Sequence, residues 1–318
     1  MKKVNFAVAA MVVTGMGLGS ASAADLTKKY VKAPPVEYVN PWDFAFGSSI
    51  ASNYVFRGVS QSNNKPSVNA YFEPRYNFTK DLQAYVGTSF SSISFANRAA
   101  AEVDIYGGIR PTFGALALDF GVYGYLYPGG KCFGDPEASG LGGAGDCGPG
   151  STAFLENGNF MKKDVSFYEI YAKATYNFND NFALGGSYFY SPNFLNFGFA
   201  SNYAGINAKW NTPAFMPWGV GSYVSGEYGH QWLGTTDVFY ASTKLKDYNT
   251  WNVGVGFTKS VFTLDLRYSG TDMSKYDCNA LTSDWTAPAI NGVGPSKWCG
   301  DTFIAKLGVD LTAASNLK

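Results

Sequence analysis

The chain has 318 residues, with 24 basic and 24 acidic side chains, 17% aromatic residues, 37 glycines and only 15% charged residues. Balanced charge without a basic cluster excludes a nucleic-acid reader. After residue 23 no apolar run is long enough for a membrane helix, so a chain of this composition would cross a bilayer only as a closed barrel, which pairs its backbone groups internally.

Residues 1–23 read as a secretory signal peptide. Lys2 and Lys3 start it, residues 6–18 are mainly apolar, and Ala21-Ser22-Ala23 is a small-residue cleavage site. An uncleaved anchor is the alternative, weakened by Gly15, Gly17 and Gly19 in the apolar part. Without the two lysines the mature chain is slightly acidic. Residues 24–41 hold Pro34, Pro35 and Pro41 and show no period, the pattern of a flexible periplasmic lead. A plug or a cell-wall contact is the other reading of that segment.

From Trp42 the chain alternates. Trp42, Phe44, Phe46, Ile50, Tyr54 and Phe56 fall on one face of an expected strand 42–56, with Asp43, Gly47, Ser49 and Asn53 on the other. Only an extended strand sends successive side chains to opposite faces. A polar loop at 57–65 leads to strand 68–78, where Val68 and Phe72 oppose Glu73 and Arg75, and a tight turn leads on to strand 82–90. Strands 102–113 and 116–127 are joined by Gly114-Ala115. They set Val103, Ile105 and Ile109 against Glu102, Asp104 and Arg110, then Leu118, Phe120 and Val122 against Asp119, Tyr123 and Tyr125. A Gly-rich loop, 128–163, holds Cys132 and Cys147. Strands 165–178, 182–190, 202–210, 218–232, 249–259 and 261–270 follow, then a loop at 271–300 with Cys278 and Cys299, and strand 301–311.

Connections alternate long and short along this series. The predicted fold is all-β, a twelve-stranded antiparallel transmembrane barrel over 42–311 with short periplasmic turns, long extracellular loops and a C-terminal tail at 312–318. A soluble sandwich or a lipocalin-like barrel is the competing architecture. Against it stand apolar faces on which no Asp, Glu, Lys or Arg is expected, strand lengths suited to a tilted crossing, and aromatics gathered at strand ends.

The run Ser52-Asn53-Tyr54-Val55-Phe56-Arg57-Gly58-Val59-Ser60-Gln61-Ser62 resembles the N-terminal signature of the TorF family of porins of Gram-negative bacteria. Lys32-Ala33-Pro34-Pro35 is similar to the start of many alphaproteobacterial outer-membrane proteins. The resemblance implies an outer-membrane pore and supplies neither a substrate nor a catalytic residue. The chain departs from such barrels at its end, where residues 311–318 lack a final aromatic and 306–311 would have to serve as the assembly signal.

Cys132 with Cys147 and Cys278 with Cys299 are expected disulfides, each within one external loop of an exported chain. Metal binding is disfavoured, because the close Cys spacings and histidines of zinc sites are missing. His230 is the one histidine; parity puts it on the lipid side near the outer rim, as a girdle residue rather than a catalytic one. No catalytic residue, cofactor or metal is expected.

By parity the inward face carries Asp43, Glu73, Glu102, Asp104, Asp119, Glu169, Glu227, Asp265 and Asp310, with Arg75, Arg110, Lys173, Lys209, Arg267 and Lys306. These charges either line a water-filled path, like the charged rings of pores, or pair across a nearly filled lumen. Twelve strands lie between filled eight-stranded barrels and open sixteen-stranded porins, which predicts a narrow pore with weak cation preference. Tyr71, Tyr85, Tyr106, Tyr123, Tyr125, Tyr127, Tyr171, Tyr203 and Tyr223 also face inward. They either form a stacking ladder for sugars or nucleosides or simply fill space. The expected function is passive diffusion of small hydrophilic solutes or ions through outer-membrane lipid. A non-conducting structural or surface-binding barrel is the alternative. Whether loop 128–163 folds into the lumen or stands outside is left open by the sequence, and Arg57 is expected against a mouth carboxylate that the sequence leaves unnamed.

Overall fold

The computed structural model describes residues 40–133, 147, 157–213, 217–288 and 294–316. The expected signal peptide and nearly all of the lead lie outside the described residues, as do 134–146 and 148–156 of the Gly-rich loop. Twelve strands form one closed ring: β1 (Trp42–Ala51), β2 (Ser67–Thr79), β3 (Leu82–Ser91), β4 (Glu102–Phe113), β5 (Leu116–Leu126), β6 (Phe167–Asn177), β7 (Phe182–Ser191), β8 (Ser201–Asn211), β9 (Gly221–Trp232), β10 (Tyr248–Lys259), β11 (Phe262–Thr271) and β12 (Thr302–Thr312). Each pairs antiparallel with its neighbours in sequence. The seam closes between β1 and β12, with Ala45 opposite Thr312 and Ala51 opposite Lys306.

Period two in the sequence becomes inside and outside in the ring. Ile105 is 55% exposed while its neighbour Asp104 is fully buried. Val86, Phe90, Ile109, Val122, Ile170 and Val253 join Ile105 in an exposed apolar belt. Apolar area costs on the order of 25 cal/mol per Å² in water, so a continuous belt of this kind is stable against hydrocarbon rather than water. Phe78, Phe113, Phe178, Trp210 and Trp218 are exposed at the turn end, and Tyr168, Tyr188, Tyr228 and Trp232 at the loop end, the two levels of an interfacial girdle. One charge does share the outward parity. Lys259 stands at the last position of β10, where the turn lifts it to the rim.

Two strand ends differ from the expected ones by more than two residues. β9 begins at Gly221 rather than 218, because Pro217–Gly219 coils into a short 3-10 turn with Trp218 at φ 63°. β1 stops at Ala51 rather than running to 56. The Ser52 hydroxyl accepts the Ala305 N–H at 3.0 Å, and Asn53 Oδ1 accepts from the hydroxyls of Ser60 at 2.7 Å and Ser62 at 3.1 Å. Polar side chains that bond local groups this way compete with a ladder and turn the chain out of the strand. Tyr54 and Phe56 consequently leave the lipid face and point into the barrel.

The main apolar core lies mostly outside the barrel strands, which add Tyr125, Phe167 and Tyr248 to it. It sits over the mouth, where Phe95, Met161, Val165, Phe194, Phe197, Leu245, Leu281 and Trp298 bring the long connections together. A helix, α1 (Lys275–Thr282), is capped at Ser274, whose hydroxyl accepts the Asp277 N–H at 3.1 Å. Disulfides join Cys278 to Cys299 and Cys132 to Cys147, with Cα separations of 5.7 and 5.4 Å.

Candidate functional site

The site is the lumen together with the segment that crosses it. Between β1 and β2 the chain makes a miniature ladder, Val55–Phe56 against Val59–Ser60, whose tip is Arg57-Gly58. Gly58 has φ +79°, and a Cβ there would lie 2.2 Å from Thr271 Cγ2 and 2.7 Å from Thr250 Oγ1, so conformation and space both require glycine. The Ser60 N–H donates to the Trp298 carbonyl at 2.7 Å, and Trp298 Nε1 donates to Asn63 Oδ1 at 2.8 Å. Tyr54 donates to Glu102 on β4 at 2.7 Å. The segment therefore leans on the wall through much of its circumference and forms a strap across the mouth.

In a ring of twelve, β7 lies opposite β1. The strap springs from β1, its Arg57-Gly58 tip lies against Thr250 of β10 and Thr271 of β11, and the Arg57 side chain is bound on the β6 to β9 side. Its two terminal nitrogens donate to the two oxygens of Glu169, each at 2.8 Å, and one of them donates also to Gln231 Oε1 at 2.9 Å. The guanidinium carbon lies 4.3 Å from the Tyr203 ring centre, 4.6 Å from Phe56 and 4.8 Å from Phe189. Tyr125 adds a hydrogen bond to Glu169 at 3.0 Å. The side chains of Arg57 and Glu169 are 1% and 2% exposed. Burial opposes the charge on Arg57, and the adjacent Glu169 carboxylate outweighs it, so the pKa of Arg57 is raised.

Toward the turn end the lumen holds a branched ion network. Glu73 receives Arg75 Nε at 2.6 Å and Arg110 at 2.8 and 3.2 Å; Arg110 also reaches Asp119 at 3.3 Å, and Arg75 lies 3.8 Å from Asp43. Across the lumen Arg267 holds Asp265 at 2.9 and 3.0 Å and Ser225 at 2.9 Å. Lys173 sits over the rings of Tyr171 at 4.5 Å and Phe189 at 5.3 Å, and Lys209 over Tyr223 at 4.5 Å.

All the residues expected to line a pore, Glu73, Arg75, Glu102, Asp104, Arg110, Asp119, Tyr123, Tyr125, Glu169, Lys173, Lys209, Glu227, Asp265, Arg267 and Lys306, have inward positions. The tyrosines resolve into partners for the acids. Tyr71 donates to Asp310 at 3.0 Å, Tyr85 to Asp119 at 2.6 Å, Tyr123 to Asp104 at 3.2 Å, Tyr127 to Glu102 at 2.8 Å, Tyr203 to Glu227 at 2.6 Å and Tyr223 to Asp265 at 2.7 Å. Hydroxyls committed to buried carboxylates favour filling over a wet stacking ladder. His230 keeps its outward parity, with Nδ1 2.8 Å from Asn249 Oδ1 and its ring against Trp232.

Parity found the wall and missed the strap. Arg57, Tyr54 and Gln231 belong to the lumen, although Arg57 falls in a loop of polar composition. The available signal was an aromatic-Arg-Gly tip inside that loop, with Tyr54 and Phe56 too apolar for a solvated turn. Loop 128–163, whose place inside or outside the lumen the sequence leaves open, contributes Met161 to the core over the mouth, with Phe133 packed against it, among its described residues.

A family model described as a bacterial protein of unknown function (Gcw_chp) matches residues 36–143, a stretch that includes the strap and the first five strands. The TorF-like run lies inside this match, and the model carries a different name. No curated protein matches the chain. Among solved structures, the COG4313 outer membrane channel from Pseudomonas putida F1 is similar at 12% identity and TM-score 0.40, over 89% of this chain and 100% of that one. The KdgM porin in complex with disordered oligogalacturonate is similar at 6% identity and TM-score 0.39, over 84% and 97%. OmpT, an outer membrane protein of Vibrio cholerae, is similar at 11% identity and TM-score 0.35, over 85% and 98%. Similarity this slight carries no argument about solute or mechanism.

Proposed function

We propose that the protein is an outer-membrane channel that passes small hydrophilic solutes or ions along a narrow lumen, with its tight turns in the periplasm and its strapped mouth outside. The observation that carries this reading is the sorting of charge. The inner wall holds ionisable groups and hydroxyls, while the outer belt is apolar, and a wall built to face lipid alone has no use for so many buried acids and bases. Acids outnumber bases even with Arg57 counted, so a modest preference for cations follows.

A second reading is a non-conducting barrel that presents its loops to a partner. The apolar core over the mouth and the strap beneath it favour this reading. Planar-bilayer recording on refolded protein separates the two. The channel reading expects discrete, small conductance steps and a reversal potential shifted toward the cation in a salt gradient. Bilayers that stay silent at every protein concentration would sink it and leave the second reading.

A further inference from the structure

The surroundings of Arg57 form a receptor for the two terminal nitrogens and the flat faces of a planar cation, with only the buried Nε left without a hydrogen-bond partner, and most of that receptor belongs to the wall. Glu169 presents both carboxylate oxygens to the fork, Gln231 accepts a third bond, and the Tyr203 and Phe189 rings face the guanidinium. The strap adds only Phe56 and the arginine itself. A carboxylate so deeply buried among aromatic rings is costly unless a cation meets it. The planar fork and the ring faces suit a guanidinium better than an ammonium, which is a compact, strongly hydrated point charge.

We propose that the β6 to β9 wall is a binding site for guanidinium-bearing cations, occupied in cis by Arg57, so that the strap is a displaceable crossbar and a free guanidinium compound is a ligand of the lumen. Only the last step, from occupancy to passage, rests on the channel reading. Because Arg57 is tethered, its effective concentration at the site is on the order of millimolar or above, and an outside ligand competes against that.

The test uses the full mature barrel refolded in detergent, with N-ethylguanidinium as the probe and ethylammonium as the control. Calorimetric titration of Arg57→Ala should show N-ethylguanidinium binding at least about tenfold tighter than to the wild type, whose cage is already filled. Ethylammonium should bind much more weakly, and Arg57→Ala/Glu169→Gln should bind neither. Equal affinity for the two ions, or binding that survives Glu169→Gln, overturns the proposal. If Arg57→Ala does not refold alone, each ion is added during refolding. Recovery specific to N-ethylguanidinium supports the cage, and equal or absent recovery overturns it.

Bilayer recordings then separate the two claims. Larger conductance steps in Arg57→Ala that shrink when N-ethylguanidinium is added support the crossbar. Steps that ignore both changes defeat the crossbar and leave the channel standing. Specific binding with no conductance in any variant leaves the cage standing and defeats the channel.

Discussion

The two ends of the lumen are held by different kinds of connection. At the turn end, charges form a branched network in which Glu73 serves Arg75 and Arg110 while Asp43 and Asp119 stand by as second partners. At the mouth, one arginine on a strap meets one carboxylate, and the loops above it share an apolar core and a disulfide. The network is redundant and local to the wall. The strap at the mouth has a single ion-pair latch beneath a cover, so equal chemical changes should have unequal consequences.

The largest effect is expected from Glu169→Gln. Arg57 would keep only amide partners in a buried site, a loss of about 3–5 kcal/mol in denaturant unfolding of the refolded barrel. A much smaller loss would show that solvent reaches the cage. Removing the Cys278 to Cys299 link by Cys→Ser at both positions should cost about 3 kcal/mol, given a closed loop with a separation of 21 residues. It should also open residues 271–301 to limited proteolysis while the turn end stays protected. Glu73→Gln should cost about 1.5–3 kcal/mol, less than Glu169→Gln, because Arg75 and Arg110 each retain a carboxylate. If Glu73→Gln proves the costlier of the two, the contrast between redundant floor and single latch is wrong. Tyr223→Phe should cost only about 1 kcal/mol, since Asp265 keeps both bonds from Arg267.

The same contrast governs what was legible in the sequence. The wall was readable because a pleated strand with lipid on one side repeats with period two, and Asp104 beside Ile105 already names its own orientation. The turn-end network follows from that parity, although which acid meets which base depends on the shear between strands, as in Arg110 reaching Glu73 on another hairpin. The strap has no period. Its course is set by hydrogen bonds from Asn53, Ser60 and Ser62, by the left-handed Arg57-Gly58 tip, and by partners 112 and 174 residues away at Glu169 and Gln231. Composition marks such a stretch as a surface loop, and only the closed ring turns it inward. The cover over the mouth was hidden for a related reason, because Phe95, Met161, Phe197 and Trp298 come from four different connections and make a core only when assembled.

Those separations also order events in assembly. Arg57 emerges among the first residues of the barrel, yet the carboxylate, amide and threonines that seat its tip arrive from β6, β9, β10 and β11. Contacts so distant in sequence form late, after the entropy of closing the intervening chain has been spent. The tip cannot dock until those strands stand in their places around the ring. Docking of Arg57 is thus a checkpoint for a correctly ordered ring, and a barrel misregistered in its second half would be left with an exposed, unlatched basic tip at its mouth.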